Sequence, residues 1–422
     1  MRKLISFSLV VLLLNFVPRQ AAAYSVLTHE EVVDLLWLDQ IRPLLLERYP
    51  GMTTDQLREA HSYAYGGCLI QDLGYYPFGN KLFSDLVHYV RSGDFVVNLL
   101  NEAQNADEYA FALGALAHYT SDVTGHPAVN QSVAQEFPKL RRKFGPVVTY
   151  EDNPKAHIQT EFGFDVVQVA KQRYTSDSYH DFIGFEISKP VLERAFRKTY
   201  GLDLSDIFGD EDRAIGSFRR AVSKIIPEMT QVALATHKVQ LVHENPNFTR
   251  KKLLYNLSRA EYQRDWGNNY QRPGIGTRIL AFFLRLMPKV GPFKALAIKT
   301  PDAQTENIYL ASMNKTVDAY RAFLVDVRGS GLQLENRDLD TGKPTSAGEY
   351  RLGDETYVQL LDKLAEKKFS TADSSLRQNV LAYFQSPTTL DHLKEKRGER
   401  EKREKELAAL RQMQAPSETS LK

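Results

Sequence analysis

Histidines and carboxylates at helical spacing are the residues of this sequence most able to do chemistry. His118 and Asp122 are four residues apart in an apolar stretch, 106–130, that also carries His126. Side chains at positions i and i+4 of a helix project from the same face. Gly125 and Pro127 predict that this helix ends beside His126. Burying such groups without partners is costly, and a bound metal ion is one partner that would satisfy them.

Further residues of the same kind lie in roughly the first third of the chain that follows residue 23. His157 and Glu161 repeat the four-residue interval. Imidazoles and carboxylates are ligands that suit zinc, and more than four of them indicate more than one ion. The candidate ligands are His29, Asp72, His88, His118, Asp122, His126, His157 and Glu161. The other histidines are interpreted as structural or surface residues: His61, His180, His237, His243 and His392.

The elements that must position these residues are predicted to be helices. Apolar residues recur at helical spacing through most of the chain, whereas the alternation typical of strands is scarce. Thr28 and Glu31 predict a capping box at the start of the first helix. Asp72 lies in a glycine-rich and aromatic-rich loop, 66–80. We therefore predict an all-α chain, in which facing helices build the metal site.

The first 23 residues have the pattern of a cleavable secretory signal peptide. Arg2 and Lys3 precede an apolar run at 4–17, and three alanines at 21–23 form a small-residue cleavage site. The apolar run is too short for a convincing membrane span. Cleavage after Ala23 would make Tyr24 the new N-terminus. We expect a secreted or periplasmic protein.

Composition and charge narrow the classes of function. Cys68 is the only cysteine, so an exported chain would have no internal disulfide, and metal ions could tie down its loops instead. The formal net charge of +2 is spread over a mixed sequence and gives no electrostatic case for a nucleic-acid partner.

The order and spacing of the candidate ligands resemble the zinc-dependent phospholipase C family and the related fungal single-strand nucleases. These are all-helical enzymes with three zinc ions. Their pattern starts with the mature N-terminal residue and a histidine, and ends with a His-x-x-x-Glu pair, or His-x-x-x-Asp in the nucleases. Every position is occupied here, in order, by Tyr24, His29, Asp72, His88, His118, Asp122, His126, His157 and Glu161. The stretch 72–90 is also similar to the catalytic domain of GPI-specific phospholipase D.

The resemblance covers roughly residues 24–240 and implies three zinc sites. One ion would be held by Asp72, His88, His118 and Asp122. A second ion would be held by His126, His157 and Glu161. The third would be held by the amine and carbonyl of Tyr24, by His29 and by Asp122, which would bridge two ions. Asp72 is also the candidate general base. By position alone, Asp85 and Asp165 are candidate acceptors for the second nitrogens of the zinc-binding histidines.

The activity implied by the resemblance is that of an exported zinc-dependent phosphodiesterase. It would hydrolyse the glycerol–phosphate ester of phospholipids, with zinc-bound hydroxide as the nucleophile. Glu161 in place of Asp, and the lack of disulfide cysteines, favour the lipase over the nuclease. Leu73 and Asp85 stand where choline-preferring bacterial enzymes carry aromatic residues, so the headgroup preference stays open.

Three alternatives to this activity remain. The same metals could serve a nuclease or nucleotidase, or a phospholipase D-like cleavage of glycosylated lipids. The domain could also be a non-catalytic lipid-binding module in which zinc is structural. Open coordination positions on the zinc would distinguish a catalytic site from a structural one.

The chain is predicted to divide into four parts. These are a signal peptide at 1–23, a trinuclear zinc catalytic domain at 24–245, a helical C-terminal region at 246–394 and a charged tail at 395–422. The C-terminal region has no recognised catalytic motif. Its apolar and basic stretch 278–299 suits a helix in a lipid headgroup layer, or a core helix with basic ends. We expect a phospholipid substrate and peripheral membrane contact.

Overall fold

Capping residues define the start of several helices, two of which carry predicted ligands. Asn80 and Asn105 each accept a hydrogen bond from a backbone N–H in the first turn of the helix that follows. Thr53 and Gln56 form a complete capping box. Asp302 accepts two backbone N–H bonds in the same way.

The computed structural model that contains these helices describes residues 25–170, 183–226, 299–329, 331–386, 393 and 395–413.

Within these residues the fold is all-α, which confirms the predicted class. The described residues form 14 α-helices and no strand, with one isolated β-bridge between Arg337 and Pro344. In chain order the helices are α1 (Val26–Leu36), α2 (Arg42–Arg48), α3 (Thr54–Gly67), α4 (Lys81–Tyr89), α5 (Ser92–Glu102), α6 (Ala106–Glu136), α7 (Pro138–Phe144), α8 (Pro154–Ala170), α9 (Lys189–Tyr200), α10 (Glu211–Arg220), α11 (Ala303–Arg328), α12 (Arg351–Glu366), α13 (Ser374–Gln385) and α14 (Arg397–Gln412). Short 3₁₀ turns occur at Ile70–Tyr75 and Leu204–Asp206, and π turns at Trp37–Ile41 and Ala221–Ile225.

The long helix α6 is the centre of the fold. It packs against α1, α3, α5, α8 and α11, and most of its residues are buried. The contact between α3 and α6 depends on glycine, because a Cβ atom at Gly114 would lie 2.0 Å from the carbonyl oxygen of Ala64. A Cβ atom at Gly67 would lie 1.9 Å from the carbonyl oxygen of Phe111. Helix backbones can approach this closely only where the residue that faces the neighbouring carbonyl has no Cβ atom.

Two predicted helix boundaries are wrong. Thr28 does not cap the first helix, which begins at Val26, and its hydroxyl donates to Asp165 instead. Gly125 and Pro127 do not end α6, which continues to Glu136 with Pro127 inside it. Proline removes one backbone hydrogen bond, but tertiary packing on both sides of a helix can offset that loss. The continuous helix keeps His126 in register with Asp122.

Helices beyond residue 299 share the hydrophobic core with those before residue 226. The Tyr320 hydroxyl of α11 is buried and donates to the carbonyl oxygen of Leu113 in α6, at 2.8 Å. Helix α12 packs against α4. The described residues therefore bury one continuous cluster of apolar side chains. The boundary at 245 stays a prediction, since 227–298 lie outside the described residues.

Four other predictions also concern residues outside the described part of the chain. They are the signal peptide at 1–23, the N-terminal ligand Tyr24, the stretch 278–299 except for its last residue, and the structural or surface interpretation of His180, His237, His243 and His392. Among the helices formed by the described residues, none combines the length and apolar character needed to span a bilayer.

Candidate metal centre

The structure brings eight of the nine predicted ligands together in one buried region. Their ligand atoms form three groups, and within each group all the atoms lie within 4.8 Å of one another. The groups are His29, His118 and Asp122; Asp72, His88 and His118; and His126, His157 and Glu161. All eight side chains are buried. The ninth, Tyr24, lies outside the described residues.

Five separate elements supply these side chains. Helix α1 carries His29, the 3₁₀ turn Ile70–Tyr75 carries Asp72, and α4 carries His88. Helix α6 carries three of the predicted ligands at four-residue intervals, and α8 carries two. Because α1, α8 and the 3₁₀ turn that carries Asp72 all pack on α6, their ligands converge on it.

Asp122 lies between two of the groups. Its Oδ1 atom is 3.5 Å from His29 Nε2, and its Oδ2 atom is 3.1 Å from His118 Nε2 and 3.4 Å from His88 Nε2. Neither oxygen has a hydrogen-bond partner, although the side chain is fully buried. A carboxylate whose two oxygens face different imidazoles is arranged as a ligand that could bridge two cations.

The Asp72 carboxylate forms one group with His88 and His118. Its Oδ1 atom is 3.6 Å from His88 Nε2 and has no hydrogen-bond partner. Burial raises the pKa of Asp72 to about 7, although His118 and His88 act in the opposite direction. A carboxylate oxygen without a partner beside two imidazoles can bind a cation or accept a proton, the two roles that the sequence analysis gave to Asp72.

The third group combines the last ligand of α6 with the pair on α8. Glu161 Oε1 lies 2.5 Å from His157 Nδ1 and 4.0 Å from His126 Nε2. The Nε2 atom of His126 is buried and has no hydrogen-bond partner. Burial raises the pKa of Glu161 well above its ordinary range, with His126 opposing it. A cation at this position would restore the charged form of the carboxylate.

The second ring nitrogen of four histidines is held by a neighbouring oxygen. His88 Nδ1 lies 2.8 Å from the carbonyl oxygen of Ser84, and His118 Nδ1 lies 2.9 Å from that of Cys68. His126 Nδ1 and His157 Nε2 are held in the same way, by the Leu339 carbonyl at 2.5 Å and by Asn130 Oδ1 at 2.7 Å. With the proton on these nitrogens, the other nitrogen of each ring presents its lone pair to the centre.

Asp85 and Asp165, which position alone suggested as these acceptors, have other partners. Asp85 accepts from Tyr75 and Lys81. Asp165 accepts from the backbone N–H of Leu27 at 3.0 Å and from the Thr28 hydroxyl at 2.7 Å. Asp165 therefore holds the first turn of α1, the helix that carries His29.

The donor set fits cationic metals. A buried carboxylate or imidazole nitrogen without a partner costs free energy that a bound cation would recover. Such atoms are concentrated here, on Asp72, Asp122 and His126. Imidazole and carboxylate together are the ligand types that zinc prefers.

One buried carboxylate at the centre was not found by the sequence analysis. Asp340 lies between α11 and α12, and its Oδ1 atom is 3.7 Å from His126 Nε2. This oxygen has no hydrogen-bond partner, and the side chain is fully buried. Asp340 is far along the chain from the other ligands and has no histidine at helical spacing, so no pattern in the sequence marks it.

His61, which the sequence assigned a structural role, lies outside the three groups. Its Nε2 atom is 2.8 Å from Asp34, and its ring stacks on Trp37.

Comparison with known proteins gives one match. Residues 28–209 match the family model described as zinc dependent phospholipase C. The matched range contains His29, Glu161 and the six predicted ligands between them, but not Asp340. Searches of curated proteins and of solved structures gave no match.

Proposed function

We propose that this protein is a zinc-dependent phosphodiesterase that hydrolyses the glycerol–phosphate ester of phospholipids, in line with the match of residues 28–209 to the zinc dependent phospholipase C family model. The products would be diacylglycerol and a phosphorylated headgroup. The observation that carries this proposal is the convergence of buried imidazoles and carboxylates into three adjoining groups. Several of their ligand atoms have no hydrogen-bond partner.

The zinc ions, when bound, would bind phosphate oxygens, neutralise the charge that develops in the transition state and lower the pKa of a water ligand to about 7. The chain's own residues hold and orient the site. The backbone carbonyls of Ser84 and Cys68 fix the ring orientation of His88 and His118. Asp122 places its two oxygens toward different imidazoles, and Asp72 provides a carboxylate able to accept a proton.

Three zinc ions form part of the proposal. The groups around Asp72 and around Glu161 would each hold one ion. The third would lie between His29 and Asp122, with the amine and carbonyl of Tyr24 completing its ligands after cleavage of the leader. Export from the cytoplasm is therefore proposed together with the third ion, because the amine of Tyr24 is free only in the cleaved chain.

A phospholipid substrate is favoured over a nucleic acid by Glu161, which replaces the Asp of the nucleases. We propose peripheral contact with a membrane surface as the way in which this substrate is reached. The headgroup is left open, because Leu73 is buried and Asp85 is paired with Lys81 and Tyr75.

Phosphorus NMR tests this proposal directly. The chain from Tyr24 onward, loaded with zinc, is incubated with mixed phospholipids and a single-stranded oligonucleotide, with and without a zinc chelator. We expect free phosphorylated headgroups that are absent in the chelated sample. Mononucleotides would favour the nuclease, and phosphatidic acid a D-type cleavage. An unchanged spectrum from zinc-loaded protein would contradict catalysis and favour a lipid-binding module with structural zinc.

A further inference from the structure

We propose that Asp340, which lies outside the family domain, is a metal ligand that shares a cation with His126. The inference rests on the proposed zinc centre and extends it to the C-terminal region. It starts from two buried atoms that face each other without hydrogen-bond partners, Asp340 Oδ1 and His126 Nε2. They are 3.7 Å apart. Two ligands of a tetrahedral zinc ion, each about 2.0–2.1 Å from the metal, are about 3.4 Å apart.

The other oxygen of Asp340 is anchored. Its Oδ2 atom accepts a hydrogen bond from Tyr89 at 2.8 Å and one from Tyr350 at 2.5 Å. Two tyrosine hydroxyls on one oxygen leave the second oxygen of the same carboxylate directed at His126. This is the arrangement of a metal-binding carboxylate whose position is set by outer hydrogen bonds.

Backbone groups of Leu339 and Asp340 form hydrogen bonds with residues of the candidate metal centre. The Leu339 carbonyl accepts from His126 Nδ1, and the Leu339 N–H donates to the carbonyl oxygen of His88 at 3.1 Å. The Asp340 carbonyl accepts from Asn130 Nδ2 at 2.9 Å, and Asn130 Oδ1 contacts His157. This short segment therefore contacts three predicted ligands, directly or through one side chain.

A glycine lets the segment lie this close to α6. Gly342 has a φ of +70°, and a Cβ atom there would be 2.5 Å from the carbonyl oxygen of Val123. Any other residue would be strained in this conformation and would displace the loop. The loop is thus built to place Asp340 against the helix that carries His126.

A carboxylate in this position would add a ligand to the second zinc site. His126, His157 and Glu161 supply three protein ligands, and Asp340 would supply another carboxylate from a different part of the chain. A role for the C-terminal region follows: it completes the metal centre of the family domain.

The test compares the Asp340→Asn variant with wild type, both as the full chain from Tyr24 onward. Asparagine keeps the shape of the side chain and an oxygen for hydrogen bonding but removes the charge. Zinc is removed, and each protein is then titrated with zinc in competition with a chromophoric chelator at one pH. We expect one site of the variant to bind zinc at least about tenfold more weakly. The matched control is Glu349→Gln, which removes an exposed carboxylate from the same loop and should titrate like wild type.

Melting temperatures separate a ligand from a purely structural carboxylate. Without zinc, Asp340→Asn should melt no lower than wild type, because it removes a buried charge with one unpaired oxygen. With zinc, its melting temperature should rise less than that of wild type. Titrations that coincide, or a melting temperature lowered equally with and without zinc, would overturn the inference while leaving the proposed function in place. Failure of wild type itself to bind zinc would overturn both.

Discussion

Asp122 faces three of the other predicted ligands. Its oxygens face His29 on one side and His88 and His118 on the other, at 3.1–3.5 Å. Burial would raise the pKa of Asp122, but the neighbouring imidazoles outweigh that effect and hold the pKa well below its ordinary range. The carboxylate therefore stays ionised in a region that excludes water. Its negative charge would attract a cation that binds between α1 and α6.

Asp72 is the residue whose replacement should separate catalysis from folding. We expect Asp72→Asn to lower kcat by about 10²–10⁴-fold, the range typical of losing a positioned acid or base. The measurement is headgroup release by zinc-loaded variant and wild type, with zinc content determined on the same samples. Asn is close to Asp in shape, so the fold should persist, which circular dichroism checks. A kcat equal to that of wild type would contradict a catalytic role for Asp72.

Helix α6 is the element that connects the metal centre to the rest of the core. It carries His118, Asp122 and His126 and packs on α3, α8 and α11. The close contact with α3 brings the carbonyl oxygen of Cys68 to His118 Nδ1. A change in the packing of α3 would therefore be transmitted to the orientation of a predicted metal ligand.

The C-terminal end of α6 carries a buried acid that should make stability depend on pH. Glu136 accepts a hydrogen bond from Thr160 of α8 at 2.9 Å, and burial raises its pKa from 4.5 to about 7. Between these two values the folded chain binds more protons at this group than the unfolded chain. The contribution to stability is therefore fully present below pH 4.5 and is lost as the pH rises to 7.

We expect Glu136→Gln to raise the free energy of unfolding at pH 8 by up to about 3 kcal/mol, and by much less at pH 5. Urea unfolding of variant and wild type at both pH values, with the same zinc concentration, measures this difference. Glu59→Gln, at an exposed position of α3, controls for the loss of one negative charge. An equal difference between Glu136→Gln and wild type at the two pH values would refute the prediction.

At the scale of the whole molecule, the helices on both sides of the family match build one core. Tyr320 of α11 donates to the backbone of α6, and α12 packs on α4, the helix that carries His88. The same C-terminal region supplies the Leu339 carbonyl to His126. The match to residues 28–209 therefore covers most of the predicted ligands but not all of the surroundings that position them.

Removal of zinc should destabilise the whole chain. Without a cation, ligand atoms of Asp72, Asp122 and His126 remain buried and have no hydrogen-bond partner. A ligand that binds only the folded state adds about 4 kcal/mol per site at a concentration of 1,000 Kd. We expect chelation to lower the melting temperature and added zinc to restore it. Differential scanning calorimetry with zinc, with chelator and with chelator followed by excess zinc measures this. Excess calcium, which prefers a shell of oxygen ligands, should not substitute, and identical melting in all samples would argue against a bound metal.

Local patterns predicted the parts of this protein that depend on neighbours along the chain. The pairs His118–Asp122 and His157–Glu161 lie on single helices, where the four-residue interval places both side chains on one face. The all-α class followed from the same periodicity. The same kind of reasoning was wrong at Thr28 and at Pro127, where contacts from distant elements outweighed the local preference for a cap or a helix end. It was also wrong for Asp85 and Asp165, which position alone had placed beside histidines.

By itself the sequence determined which residue types the centre contains and the order in which the chain presents them, because helical periodicity and ligand chemistry are local properties. Only the tertiary structure decided what surrounds them. Asp340 and the Leu339 carbonyl reach His126 across more than 200 positions of sequence. Their approach depends on the packing of α11 and α12 and on the space left by Gly342. Such non-local contacts leave no regular interval in the sequence, so folding alone brings this part of the centre together.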